Sequence, residues 1–370
     1  MQIRAAVLTE FGRELELAEL DLAEPGRDEV LVRVLASGIC RSDLSLAKGY
    51  WPVPLPIVLG HEGAGVIEAV GPGVEPTRVG EHVVLTFAPS CGRCRFCLAG
   101  RVNLCEVAAA CFETGFLPDG TTRLSRGGER VHHLAFVSSF AERAVVPANA
   151  AIPVDAELDP ALTCLLGCGV TTGVMSVTKR ANVRPGDSVA VFGCGGVGLS
   201  AVQGARLVSA HPIVAVDPLA SKRELALRIG ATHVVDPGAG DSVKAVRAIA
   251  PGGVDFAFEA IGRPEVAKQA FGATRQGGTT VLIGQPAVGV DAGFPVYDVT
   301  QFEHTILGSN LGGAAPALDV PALARLLGAG KLDLASLVTH RVGLEDVNEA
   351  IALVESGEAG RVVIEIQSGR

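Results

Sequence analysis

The sequence predicts an α/β protein of two parts, in which a β-rich N-terminal part precedes a doubly wound parallel sheet. At 370 residues the chain is longer than one hydrophobic core usually spans. Strand-type segments dominate up to about residue 165, and from about residue 186 short apolar strands alternate with helical segments. This alternation is typical of a parallel sheet covered by helices on both faces.

The N-terminal part carries β-type segments bounded by Gly and Pro. β-branched residues fill "EVLVRVLASGI" and "GAGVIEAVGPGV", which predicts a strand in each. Prolines interrupt "YWPVPLPIVLG", so this stretch is predicted to be a loop that leads into a short strand.

In the second part of the chain, short apolar strands alternate with segments whose apolar residues have helical spacing. The predicted strands are "DSVAVFG", "PIVAVD", "THVVD", "VDFAFEA" and "TTVLIG". The helices predicted after the first four are "VGLSAVQGARLV", "SKRELALRIG", "SVKAVRAIA" and "EVAKQAFGAT". From about residue 312 two further helices are predicted at "VPALARLLGAG" and "LEDVNEAIALVESG", before a final strand "RVVIEI".

A glycine loop joins the first of these strands to its helix. In "VAVFGCGGVGLS", Gly193, Gly195 and Gly198 have G-x-G-x-x-G spacing, and Asp217 ends the next strand 19 residues past Gly198. This spacing is typical of a dinucleotide site, in which the helix N-terminus faces the phosphates and the acid bonds the adenosine ribose. Glycine is common here, so a ligand-free turn is the alternative, but the strand, helix and acid in register disfavour it.

The fifteen-residue segment "CGRCRFCLAGRVNLC" contains four cysteines. Cys91, Cys94, Cys97 and Cys105 follow C-x2-C-x2-C-x7-C, which suits a closed tetrahedral zinc site with a structural role. A ferredoxin-type cluster usually has its fourth cysteine elsewhere, often beside a proline. A redox C-x-x-C pair would leave two cysteines unexplained.

A second candidate set is dispersed along the chain. Cys40, His61 and Cys168 each follow a β-type segment, and two Cys with one His would form a three-ligand zinc site with an open position. Taken singly, each cysteine could be a buried apolar residue and the histidine an ordinary loop residue. Sequence spacing alone does not bring the three together.

Composition narrows the class of protein. The net charge of −9, without a basic stripe, argues against nucleic acid as the main partner. The apolar runs are too short to cross a membrane, and the N-terminus lacks the apolar core of a signal peptide, which predicts a soluble cytoplasmic protein. In such a protein the nine cysteines are expected to be thiols or metal ligands.

Together, "GHEGAGVIEAVGPGV", the four-cysteine loop, "GCGVTTG" and "VFGCGGVGLS" resemble the zinc-dependent medium-chain alcohol dehydrogenases over nearly the whole chain. The segment "LPDGTTRLSRGGERVHHLAFVSSFAERAVV" is similar to the longer loop of the liver-type and formaldehyde dehydrogenase branches. The resemblance implies a GroES-like β-barrel catalytic domain at 1–169, with the zinc loop at 91–105. It also implies a Rossmann domain at 170–311, a return to the catalytic domain at 312–370, and a homodimer joined through the Rossmann domains.

The resemblance assigns roles to individual residues. It implies a catalytic zinc on Cys40, His61 and Cys168, with Asp43 orienting His61 and Glu62 behind the metal, besides the structural zinc on the four-cysteine loop. Ser42 would take the alcohol proton before hydride passes to NAD. The cofactor would contact Arg41, Thr172, Gly193, Gly195, Gly196, Val197, Gly198, Asp217, Lys222 and Arg361, and the substrate pocket would include Trp51, Phe87, Ala110 and Ala135.

The implied reaction is NAD-dependent oxidation of a primary, allylic or aromatic alcohol to the aldehyde, or the reverse. Trp51 stands where the glutathione-dependent branch has an Asp, and that branch has an Arg near the position of Ala109. This chain has neither charge, which disfavours glutathione adducts but leaves another thiol adduct open. Ser45 stands where liver-type enzymes often carry the outer histidine of a proton relay. The sequence also leaves open a C=C or C=N reductase and a non-catalytic cofactor-binding protein, although the complete zinc set disfavours both.

Overall fold

The computed structural model describes residues 1–366 of the chain. Its strands, β1–β18 in chain order, span Gln2–Leu8, Glu16–Leu22, Glu29–Gly38, Ile57–Val58, Glu62–Val70, His82–Leu85, Leu124–Arg126, Glu129–His133, Arg143–Pro147, Ala151–Pro153, Val189–Phe192, Ile213–Val216, His233–Val235, Val254–Glu259, Thr274–Leu282, Thr305–Gly308, Val338–Val342 and Arg361–Glu365.

The α-helices, α1–α12, span Arg41–Ala47, Arg95–Leu98, Glu106–Thr114, Pro160–Thr163, Gly169–Met175, Gly196–Leu207, Ala220–Ile229, Ser242–Ile249, Pro264–Ala273, Val296–Gln301, Pro316–Gly328 and Val347–Ser356. Short 3₁₀ turns occupy Pro76–Arg78, Val102–Leu104, Cys164–Gly167, Pro237–Ala239, Leu311–Gly313 and Leu344–Asp346. A π-helix, Ser176–Arg180, continues α5.

The described chain forms two compact units. The first comprises 1–168, 315–330 and the chain from 338 onward, and the second comprises 169–314 and 331–337. The short segment 331–337 belongs with the second unit because the buried Gln203 side chain of α6 bonds the backbone of Asp333 in both directions, at 3.1 and 2.7 Å. The predicted domain boundaries, at 169/170 and 311/312, lie close to the two main breaks.

The first unit is built from two sheets. Strands β1, β2, β7, β8 and β4 close a small barrel, and a second sheet has the order β10-β6-β5-β3-β18-β17, with β9 also paired to β3. In the antiparallel β3–β5 pair, Gly38 lies opposite Glu62. This register places the residues that follow β3 next to those that precede β5.

The second unit contains a parallel sheet in the order β13-β12-β11-β14-β15-β16. Every residue of β11 and β12 is buried, as expected for strands covered on both faces. Phe192 at the end of β11 is in register with Val216 of β12 and Glu259 of β14. The loops that follow these three strands therefore begin at one edge of the sheet, where ligands of such sheets bind.

The predicted α/β class, with a barrel-containing catalytic part and a doubly wound parallel sheet, is confirmed. Strands and helices lie at the segments predicted in the second part of the chain. Between residues 1 and 366 no single helix is long and apolar enough to span a membrane; Pro160–Gly167 and Gly169–Arg180 reach the required length and composition only when counted together.

Candidate active site

Four metal-binding side chains meet at the end of the β3–β5 pair. One ligand atom each from Cys40, His61, Glu62 and Cys168 lies within 4.8 Å of the others, and all four residues are buried. Cys40 follows β3 and caps α1, whereas His61 and Glu62 stand at the start of β5. The strand register therefore brings Cys40 to His61 and Glu62, and Cys168, which follows the 3₁₀ turn Cys164–Gly167, completes the set. We call these four residues the buried metal group.

Asp43 in the first turn of α1 fixes the orientation of His61. Its Oδ1 lies 3.1 Å from His61 Nδ1 and accepts the backbone N–H of Gly60 at 3.1 Å, while Oδ2 accepts the N–H of Cys40 at 3.0 Å. The carboxylate is fully buried, and these three contacts compensate its charge. Because Nδ1 is engaged, Nε2 is the nitrogen that remains to bind a metal.

The electrostatics of the group favour a bound cation. A hydrogen bond with the Cys168 thiol lowers the pKa of Cys40 well below its ordinary value against the effect of burial, and His61 and Arg361 lower it further. Burial opposes protonation of His61, but Asp43 and Cys40 raise its pKa overall. Buried anionic sulfur beside a carboxylate is the donor set that zinc satisfies.

Glu62 is held from behind by an arginine. Its carboxylate forms a buried ion pair with Arg361 of β18, whose guanidinium also donates to the Ile39 carbonyl at 3.3 Å. A Cβ at Gly38 would lie 2.2 Å from Glu62 Oε2, so only glycine leaves room for the pair. Within residues 1–366 the buried Arg361 Nε has no hydrogen-bond partner.

The second cluster is the loop metal group, formed by Cys91, Cys94, Cys97 and Cys105, whose sulfur atoms also lie within 4.8 Å of one another. Backbone N–H groups point at the sulfurs, from Cys94 to Cys91 at 3.4 Å and from Cys97 to Cys94 at 3.5 Å. The N–H of Cys97 is the largest cause that lowers the pKa of Cys94 to about 6. Four thiols folded around one point fit a closed zinc site.

The glycine loop in the second unit turns directly from β11 into α6. Gly193 has φ +94, and a Cβ at Gly198 would lie 1.8 Å from the Gly193 carbonyl oxygen, so both positions need glycine for the loop itself. A Cβ at Gly195 would meet nothing within 4 Å. The open space beside this bare backbone, at the N-terminus of α6 with Gly196 and Val197 in its first turn, fits a phosphate group.

Asp217 follows β12 and faces the glycine loop. Its Oδ2 accepts the N–H of Cys194 at 2.8 Å and its Oδ1 the N–H of Leu219 at 2.9 Å. Lys222, in the first turn of α7, is buried. Asp217 therefore shapes the loop in addition to any contact with a ribose.

Helix α5 carries Thr172 and packs against α6. A Cβ at Gly173 would lie 2.3 Å from the Val197 carbonyl oxygen, which shows how closely the helices approach at the first turn of α6. Thr172 is 8% exposed. The neighbouring glycine therefore holds Thr172 near the glycine loop.

The predicted pocket residues separate into two groups. Trp51 and Phe87 are partly buried against the core cluster that includes the buried Ala135. The Phe87 ring meets His61 edge-on, with ring centroids 5.7 Å apart. Ala110 is exposed on α3 and is not part of that cluster.

Comparison with known proteins agrees with this geometry. The alcohol dehydrogenase GroES-like domain model matches residues 26–156, and the zinc-binding dehydrogenase model matches residues 196–329. A putative alcohol dehydrogenase D from Mycobacterium tuberculosis is 42% identical over 98% of this chain and 100% of its own length. The chain belongs to the zinc-dependent medium-chain alcohol dehydrogenases.

Other members of the family differ in substrate. An S-(hydroxymethyl)glutathione dehydrogenase from Synechocystis is 39% identical to this dehydrogenase over 98% of this chain and 100% of the relative. The crystal structure of benzyl alcohol dehydrogenase from Acinetobacter calcoaceticus has a TM-score of 0.94 and 37% identity, and covers 99% of this chain and 100% of that one. This dehydrogenase is an NAD-dependent enzyme that also uses zinc, and both metal groups and the glycine loop fit these cofactors.

Sequence reasoning missed several residues that support the site in this dehydrogenase. Gly38 makes room for Glu62, and a Cβ at Gly193 would lie 2.3 Å from the Ile261 side chain. Glu259 Oε1 accepts the N–H groups of Ile261 and Gly262 at 2.8 and 2.7 Å, which fixes that loop. No motif marks Gly38 or Ile261, because their neighbours Glu62 and Gly193 are distant in sequence. Glu259 bonds residues only two and three positions further along, but no motif marks that turn either.

Proposed function

We propose that the enzyme oxidises a primary, allylic or aromatic alcohol to the aldehyde with NAD, or catalyses the reverse. The observation that carries this proposal is the aromatic side chain beside the buried metal group, where Phe87 lies edge-on to His61. Trp51 packs against the same core cluster, so the pocket has apolar aromatic walls that suit a flat apolar substrate. The similarity to a benzyl alcohol dehydrogenase supports this substrate class.

The residues of the chain have separate roles in this reaction. Cys40, His61 and Cys168 would hold the catalytic zinc, which when bound supplies a Lewis acid that makes an alcohol hydroxyl more acidic. Ser42, whose Oγ lies 3.6 Å from Cys40 Sγ, takes the alcohol proton. Asp43 keeps Nε2 of His61 directed at the metal. NAD, when bound, supplies the hydride acceptor.

When NAD is bound, the glycine loop would hold its pyrophosphate, Asp217 and Lys222 would hold its adenosine ribose, and Thr172 would contact its nicotinamide. Arg41 is exposed at the start of α1, whereas Arg361 is buried and its Nε has no hydrogen-bond partner among residues 1–366, as expected for an arginine that binds an added anion. The loop metal group would hold the second zinc, with a structural role.

A panel of alcohols with matched variants tests the substrate class. We expect Phe87→Leu, which keeps apolar bulk but removes the ring, to lower kcat/KM for benzyl alcohol about tenfold and for short alkyl alcohols far less. Phe116→Leu is the control, because the Phe116 ring packs at a tilt against His132, with centroids 5.1 Å apart, outside the core cluster that Trp51 and Phe87 contact. Equal losses on both alcohols would contradict an aromatic-lined pocket.

A thiol adduct of formaldehyde is the second candidate substrate, favoured by the similarity to an S-(hydroxymethyl)glutathione dehydrogenase. Trp51 and the exposed Ala109 supply no charge for the carboxylates of glutathione. We therefore expect formaldehyde with glutathione to be a poor substrate compared with benzyl alcohol. A preference for the glutathione adduct, or turnover only on C=C or C=N bonds, would replace the proposed function.

We further infer that the enzyme is a homodimer joined through the second unit. The edge strand β16 pairs with β15 on one side, and nearby in sequence Val288, Val296 and Tyr297 are 75%, 75% and 69% exposed. Exposed apolar side chains and an edge strand that is paired on one side are each typical of an interface. We expect Val296→Glu to shift the mass measured by light scattering toward the monomer. Leu318→Glu, at a position 73% exposed on α11, should not do so.

A further inference from the structure

Two serine hydroxyls fasten helix α5 to the segment that follows β16. Ser176 Oγ lies 2.6 Å from the Thr172 carbonyl oxygen and 2.8 Å from Ser309 Oγ. Ser176 is fully buried and Ser309 is 9% exposed. Both belong to the second unit, although 133 residues separate them in sequence.

The direction of the two hydrogen bonds follows from their chemistry. A carbonyl oxygen only accepts, so the single proton of Ser176 goes to Thr172. Ser309 must then donate its own proton to Ser176 Oγ. The two linked hydrogen bonds therefore run from Ser309 to Ser176 and from Ser176 to Thr172. They end on the backbone carbonyl of the residue proposed to contact the nicotinamide. Linked hydrogen bonds in a buried setting polarise and strengthen one another.

Further contacts seat the same segment on the same helix. Arg180 Nε donates to the Gly308 carbonyl at 2.8 Å. Gly312 has φ +65, and a Cβ there would lie 2.5 Å from Met175 Cβ, so the loop backbone packs directly on the helix. At this point α5 gives way to the π-helix Ser176–Arg180. π-helical turns inside helices frequently occur at functional sites.

We propose that Ser176 and Ser309 are positioning residues that hold Thr172 at the nicotinamide end of the cofactor. This inference rests on the proposed role of Thr172 and deepens it. A Ser or Thr hydroxyl in a helix can be satisfied by the carbonyl four residues earlier, as Thr178 is by Val174 at 3.0 Å. The added bond from Ser309 therefore serves to couple two elements, the helix that carries Thr172 and the loop after the edge strand.

The test compares two ligands that differ only at the nicotinamide end. Dissociation constants for NADH and for ADP-ribose, which lacks nicotinamide, are measured by fluorescence and calorimetry on wild type, Ser176→Ala, Ser309→Ala and the double variant. We expect each single variant to weaken NADH about fivefold, the effect of one lost hydrogen bond, and to leave ADP-ribose unchanged. The double variant should resemble Ser176→Ala, because Ser309 acts through Ser176.

Thr178→Val is the matched control, since it removes a similar bond from the same stretch of helix without touching the segment after β16. It should bind both ligands as wild type does. Equal weakening of NADH and ADP-ribose, additive effects of the two serine variants, unchanged NADH binding, or a similar loss in Thr178→Val would overturn the inference alone. A wild type that binds neither ligand would overturn the proposed function, and the inference with it.

Discussion

Asp43 Oδ1 lies 3.1 Å from His61 Nδ1 inside the first unit, and both residues are buried. The carboxylate also accepts the N–H groups of Cys40 and Gly60, so it connects two members of the buried metal group, Cys40 and His61, and the residue before His61 to α1. We expect Asp43→Asn to lower zinc affinity at the buried metal group about 10- to 100-fold, because the amide cannot accept at both positions. Zinc competition with a chelator measures the loss.

Asp159→Asn is the control for that variant, since Asp159 caps α4 in the same unit and is 39% exposed. It should keep wild-type zinc affinity. Unaltered zinc retention in Asp43→Asn would show that the carboxylate does not support the metal.

Removing a zinc ligand from each of the two metal groups should have different effects on the enzyme. We expect two zinc ions per chain by elemental analysis, and one in either Cys94→Ser or His61→Ala. Cys94→Ser should unfold at a lower temperature, because the loop at 91–105 is folded around its sulfurs. His61→Ala should lose turnover and retain the fold.

Cys111→Ser controls for the loss of a thiol, since Cys111 is buried and lies outside both groups. It should keep two zinc ions. A single zinc in freshly prepared, active wild type would contradict the assignment of two sites.

Asp217 should select NAD over NADP. NADP carries an extra phosphate on its adenosine ribose, which would face the Asp217 carboxylate. Repulsion between two unit charges about 4 Å apart, at an effective dielectric of about 20, costs about 4 kcal/mol. Solvent screening reduces this cost and leaves a preference for NAD of roughly a hundredfold. We expect Asp217→Asn to narrow the ratio of kcat/KM for the two cofactors. It should also weaken NAD somewhat, because both carboxylate oxygens accept backbone N–H groups.

Asp255→Asn is the matched control, because Asp255 lies at the start of β14 and its carboxylate bonds Ser188 and Arg275. Its cofactor ratio should equal that of wild type. Comparable efficiency with NAD and NADP in the unaltered enzyme would refute the role of Asp217.

The proton path should depend on Ser42 and little on Ser45. Ser42→Ala removes the first proton carrier, and we expect turnover to fall about a hundredfold or more where proton transfer limits the rate. Ser42→Thr, which keeps a hydroxyl, should restore most of it. Ser45 is buried, at 8% exposure, so it is not a surface group that could replace a histidine at the outer end of a relay.

Steady-state kinetics on Ser45→Ala provide the comparison. This variant should turn over at nearly the wild-type rate. A severe loss of turnover in Ser45→Ala, alongside an active Ser42→Ala, would show that the alcohol proton passes to Ser45 and not to Ser42.

His133 should make the protein acid-sensitive. Its Nε2 accepts the N–H of Arg123 at 3.1 Å, and within residues 1–366 its buried Nδ1 has no partner. Burial, aided by Arg123, lowers its pKa from 6.5 to about 3. Below pH 6.5 the unfolded chain therefore binds a proton that the folded chain does not, and stability falls as the pH drops toward 3.

We expect the free energy of unfolding to fall by up to about 1.4 kcal/mol for each pH unit between pH 6.5 and 3. His133→Gln retains an acceptor for Arg123 but does not titrate, so urea unfolding at pH 4.5 and 7 should show a smaller difference than in wild type. His340→Gln, at an exposed position in β17, should keep the wild-type slope. An unchanged slope in His133→Gln would show that His133 is not the acid-sensitive group.

The sequence by itself determined the features whose parts are contiguous. The four cysteines of the loop metal group lie within residues 91–105, and the glycine loop lies between β11 and α6, so spacing alone indicates their geometry. The alternation of strands and helices likewise predicted the parallel sheet, in which the two strands β11 and β12 are wholly buried.

Only the tertiary structure decided which distant residues meet. The Gly38–Glu62 register brings Cys40 to His61, and the ion pair of Glu62 with Arg361 joins residues 299 apart in sequence. Ser176 and Ser309 meet across 133 residues without a motif at either position. The physical reason is that such contacts depend on strand register and helix packing, which are set by burial of the whole core and leave no local pattern in the chain.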